Sequence, residues 1–116
     1  LKGAARAVGY SHDGQYFAVG DAGREVSVFN AGDKSKYHAW RFHDARIEAL
    51  AWSPDSSRIA TCAQDSHIFI WNVSTKKHFS FQRAHLLGAN DIIWLSDNKL
   101  ASVGQDTTLK TWELEA

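Results

Sequence analysis

IEALAWSPDSSRIATCAQDSHIFIWN, residues 47–72, decides the fold. Residues 47–52 read as a strand, and Ser53-Pro54-Asp55-Ser56 as a tight turn in which the proline presets φ. A second strand follows over 58–63 and a third over 67–72. In the third, Ile68 and Ile70 alternate with Phe69 and Trp71, so both faces are apolar and both must be packed. The pattern recurs on each side, as RAVGYSHDGQYFAVGDAGREVSVFN over 6–30 and NDIIWLSDNKLASVGQDTTLKTWEL over 90–114. Tyr10, Trp52 and Trp94 fall 42 residues apart, while Phe29, Trp71 and Trp112 close the copies at steps of 42 and 41. The shorter step comes from the third copy's turn, Leu95-Ser96-Asp97-Asn98, which lacks one residue.

Between the copies, 36–42 and 77–82 carry bulky residues at alternate positions (Tyr37, Trp40 and Phe42; Phe79 and Phe81) and read as outer, partly exposed strands. Residues 30–35 and 73–76 read as turns, and no stretch reads as a long helix. The expected fold is therefore all-β, with one sheet per copy. The third copy stops soon after Trp112 and has no outer strand of its own. Each repeat buries its faces only against neighbours. The expectation is thus an open arc, completed by further repeats from a longer parent chain or by other copies.

Thirteen basic and thirteen acidic residues cancel, and no like-charge run exceeds two residues. Bulk electrostatic capture of nucleic acid or a membrane is disfavoured on that ground. The apolar runs fall far short of the roughly 20 residues of a membrane-spanning helix. The single cysteine, Cys62, cannot form an internal disulfide, and reads as a small buried strand residue of a chain in a reducing, cytoplasmic compartment.

Superposing the copies isolates a polar set. His43, Thr61, Asp65 and Trp71 recur in the third copy as His85, Ser102, Asp106 and Trp112. A His, a hydroxyl and an Asp could suggest a hydrolase triad, but the hydroxyls sit mid-strand, where a nucleophile cannot reach a substrate. The set reads instead as a buried hydrogen-bond chain, in which the carboxylate holds the imidazole, and the imidazole reaches the indole through the hydroxyl. The first copy has Leu1, Val19, Gly23 and Phe29 at these places, so packing alone is expected to hold it. Asp13, Asp55 and Asp97 recur in turns, where they cap their own backbone. The six histidines show no ligand spacing, the glycines form no phosphate cradle, and no cofactor or metal is indicated.

The forty-odd-residue period, the short strands and the aromatic-plus-Asp/Asn ending resemble WD40 repeats. The resemblance implies about three four-stranded antiparallel blades in an open arc of a larger β-propeller, with repeats at about 1–35, 36–76 and 77–116. It also makes the polar set the family's structural tetrad. Ala84, His85, Trp94, Leu95, Leu100, Gly104, Asp106, Lys110 and Trp112 form an AH…WL…L…G.D…K.W pattern. With it, the three copies resemble the last three repeats of the actin-interacting protein 1 family. That narrower resemblance implies a cytoplasmic, cytoskeleton-associated parent of two linked seven-bladed propellers. Such a parent is non-catalytic, has actin and cofilin as partners, and promotes disassembly of cofilin-decorated filaments. The alternative is a WD40 scaffold subunit of an unrelated complex. Under either reading, recognition falls to the exposed loops 11–15, 31–36, 53–57, 74–77 and 86–89, with Lys34, Lys36, Lys76 and Lys77 as the first charges to reverse.

Overall fold

The computed structural model describes residues 4–41, 43, 45, 47–64, 67–81, 88–104, 106 and 108–114. These form eleven strands: β1 (Ala5–Tyr10), β2 (Tyr16–Asp21), β3 (Val26–Asn30), β4 (Lys36–Trp40), β5 (Ile47–Trp52), β6 (Arg58–Ala63), β7 (Ile68–Asn72), β8 (His78–Phe81), β9 (Ala89–Ser96), β10 (Lys99–Gly104) and β11 (Leu109–Glu113). Three antiparallel sheets result: β1-β2-β3-β4, β5-β6-β7-β8 and β9-β10-β11. No helix occurs among the described residues. Strand β4 ends at Trp40, with Arg41 already outside it, and β8 begins at His78, one residue later than the sequence suggests. Phe42 and Gln82 lie outside the described residues.

Strand alternation sends the middle sheet's side chains into two separate cores. Ile59, Ala63, Phe69 and Trp71 face the first sheet and pack with Ala18, Val26, Val28 and Trp40. Ala60, Cys62, Ile68 and Ile70 face the third sheet and pack with Ala89, Ile92 and Leu100. The doubly apolar β7 is thus the wall common to both cores, and Cys62 is a buried strand residue. The outer sheets keep open apolar surface: Val8 and Tyr10 on β1, and Ile93, Leu95, Val103 and Leu109 on the third sheet.

The sheets are tied at equivalent points. Trp52 Nε1 donates to Gly9 O and Trp94 Nε1 donates to Ala51 O, both at 2.9 Å. Close approach also needs a missing side chain, because a Cβ on Gly20 would lie 2.4 Å from Ile47. Turn chemistry sets the spacing within each sheet. Asp13 Oδ1 accepts from Gln15 N and Asp55 Oδ1 from Ser57 N, each at 3.0 Å, as expected for capped turns. Asp97 acts differently, its Oδ1 accepting from Asp55 N of the neighbouring sheet.

Candidate functional site

Both the first and the second blades bury several polar side chains, and those of the second match the set that the copies share. Thr61 lies on the β6 face that meets the first sheet, and Trp71 is its diagonal neighbour on β7. Trp71 Nε1 donates to Thr61 Oγ1 at 2.8 Å, and His43 Nε2 stands 2.8 Å from the same oxygen. An indole N–H can only donate, so Thr61 Oγ1 accepts from Trp71 and its own proton is free for His43 Nε2. All three residues are buried, Thr61 completely. The imidazole also stands edge-on to Phe69 with centroids 4.6 Å apart, and the indole stacks on Trp40 at 5.1 Å. Asp65, expected to complete the set, lies outside the described residues.

In the third sheet Trp112 Nε1 donates to Ser102 Oγ at 2.9 Å, and Ser102 is buried. Asp106 Oδ1 accepts from Thr108 Oγ1 at 2.6 Å and from Thr108 N at 3.2 Å. His85 lies outside the described residues. The two hydroxyl–indole pairs therefore occur at matching places, and each hydroxyl faces packed side chains. A hydroxyl so placed has no path to a substrate.

The first sheet departs from expectation. Val19 and Phe29 occupy the equivalent places, and Phe29 stacks on Phe17 at 5.1 Å, but packing is not alone in holding this sheet. Asp21, Glu25 and Ser27 are buried at the β2–β3 end. Asp21 Oδ1 accepts from Glu25 N at 3.0 Å, and Ser27 Oγ donates to Glu25 Oε2 at 3.4 Å. Superposing copies could not reveal this group, because Asp21, Glu25 and Ser27 align with Ala63, His67 and Phe69. Leu1 lies outside the described residues.

The turn carboxylates carry the clearest electrostatic perturbations. Hydrogen bonds from Ser11 and Gln15 hold Asp13 below the ordinary carboxylate value, and those from Ser53 and Ser57 do the same for Asp55. Asp33 is lowered by the Ser35 amide and hydroxyl. Loops 11–15 and 53–57 are also joined to each other, through Asp13 N donating to Ser56 Oγ at 3.1 Å. They are less free for recognition than exposure alone suggested. Of loop 86–89, only Gly88 and Ala89 are described.

The model of the WD domain, G-beta repeat, matches residues 34–72, which run from the outer strand of one sheet through the inner three of the next. The chain is 38% identical over 116 residues to a 66 kDa stress protein of Physarum polycephalum, covering 98% of this chain and 19% of that protein. It is 36% identical over 117 residues to actin-interacting protein 1 of Drosophila melanogaster, covering 97% of this chain and 19% of that protein. The solved WD40 repeats of RRP9 superpose with a TM-score of 0.91 at 16% identity, covering 97% of this chain and 36% of that one. Residues 34–72 match the WD40 repeat family, and the three sheets are blades of the WD40 β-propeller fold. The chain is similar to actin-interacting protein 1 and spans about a fifth of the length of the curated relatives it matches.

Proposed function

We propose that this chain is part of a non-catalytic WD40 scaffold, a factor like actin-interacting protein 1 that binds cofilin-bearing actin filaments and promotes their disassembly. In this reading the protein resides in the cytoplasm with the cytoskeleton. The repeats at about 1–35, 36–76 and 77–116 supply part of one propeller, and the rest of the parent chain supplies the other blades. The carrying observation is the similarity to actin-interacting proteins, which runs through nearly the entire chain and not only its WD40 signature.

The polar residues support the same reading. The hydroxyls of Thr61 and Ser102 are buried against indoles, and Asp13, Asp33 and Asp55 cap turns. We assign His43, Thr61, Asp65 and Trp71, with His85, Ser102, Asp106 and Trp112, to holding their blades. Sedimentation of actin filaments with cofilin and the natural-length protein tests the function. The expected result is loss of pelleted actin that requires both proteins. No cofilin-dependent loss would remove actin from the proposal and leave a WD40 scaffold with another partner.

A further inference from the structure

A groove of about 730 Å³ runs between the outer strand of the first blade and the β7–β8 turn of the second. His38, Trp40 and Arg41 form one wall, and Lys76, Lys77 and His78 the other. Both walls belong to this chain and are tied together, so the groove is not a product of the arc's open flanks. Trp40 Nε1 donates to Lys76 O at 3.2 Å, and Tyr37 OH donates to Val73 O at 3.2 Å. The turn is fixed as well, with Lys76 N donating to Asn72 O and Asn72 N to Lys77 O, each at 2.8 Å. Lys76 adopts φ 63°, and its ammonium stands 4.9 Å over the Tyr37 ring, which holds the cation at the lip.

The charge of this groove is one-sided. Arg41, Lys76 and Lys77 are exposed, and among the described residues no acidic side chain lines the walls and no carboxylate pairs with these three cations. Two other cations do have carboxylate partners, Arg6 with Glu48 and Lys99 with Glu113. Burial, and then the Lys76 ammonium, push the His38 imidazole below its usual value. The cations come from both walls, Arg41 from one and Lys76 and Lys77 from the other, and Ala39 and Trp40 share the lining. That distribution fits an extended chain with several carboxylates and intervening apolar side chains better than a single phosphate.

We propose that this inter-blade groove docks an acidic, extended peptide segment of a protein partner, with Arg41, Lys76 and Lys77 engaging its carboxylates. Loop positions on a rigid scaffold with uncompensated charge are suited to steering and fixing such a segment. The proposal stands whether or not the partner is a filament, because its probe is a synthetic peptide.

The test is fluorescence anisotropy of a short labelled peptide of alternating Asp and Leu, titrated with the natural-length protein. The expected result is salt-sensitive binding that falls at least about tenfold in K76E/K77E and R41E. It should stay within about twofold in K34E/K36E, which carries the same charge change on the equivalent turn of the first blade. A thermal melt of each variant confirms folding. Equal binding of a Lys-and-Leu peptide would overturn the proposal, as would equal losses in both double variants. So would competition by inorganic phosphate or a single-stranded oligonucleotide with no binding of the acidic peptide.

Discussion

The first and second blades share strand order, turn positions and a 42-residue offset, yet they solve the problem of buried polarity differently. The second places a hydroxyl mid-strand and satisfies it twice, from His43 and Trp71. The first has Val19 and Phe29 there, and moves its polar group to Asp21, Glu25 and Ser27 at the strand ends. The backbone fold therefore does not depend on one particular network. Apolar alternation and capped turns set the blade, and each blade then pairs whatever polar groups its sequence buries.

Breaking the second blade's solution carries the largest expected effect. Thr61→Val keeps the shape but strands two buried partners, and should cost about 2–4 kcal/mol of unfolding free energy. Chemical denaturation of the natural-length protein reads this directly, and a loss near zero would mean that His43 and Trp71 find other partners. Gly20→Ala attacks the junction between the two blades. A Cβ 2.4 Å from Ile47 forces overpacking, with an expected loss of about 1–3 kcal/mol. An unchanged melt would show that the sheets can separate without cost.

Ser27→Ala probes the first blade's network and should cost no more than about 1 kcal/mol, since its contact to Glu25 is long at 3.4 Å. A loss equal to that of Thr61→Val would erase the contrast between the two blades. The smallest effect concerns the turns shared by both blades. Asp13, Asp33 and Asp55 are all lowered in the folded state, so each stabilises the fold while ionised. Their contribution is present above the ordinary Asp value of 3.8 and is lost as pH falls through the lower folded values. The triple Asp→Asn variant should melt with a shallower acid dependence than wild type. Parallel acid profiles would sink that attribution.

The fold was legible because a period-two pattern with two apolar faces has few ways to pack. Ile68 and Ile70 against Phe69 and Trp71 in themselves demand a sheet on each side. Thr61 with Trp71, and Ser102 with Trp112, were legible because both members of each pair recur at matched positions. The links between blades were not. Trp52 and Trp94 donate to the backbone carbonyls of Gly9 and Ala51, which leave no trace in side-chain identity. The Asp21, Glu25 and Ser27 group was hidden for the opposite reason, since it occurs once and no second copy points to it. The basic groove arises where Arg41 on one blade meets Lys76 and Lys77 on the next, and that meeting is tertiary.

Filament sedimentation by Thr61→Val in the natural-length protein, beside its melting temperature, tests the central claim that the buried His43–Thr61–Trp71 set holds its blade while the surface does the binding. The account predicts a clearly lowered melting temperature, with cofilin-dependent loss of pelleted actin retained at temperatures below the new transition. An unchanged melting temperature with that activity abolished would contradict it, and would move Thr61 from the scaffold to the site of function.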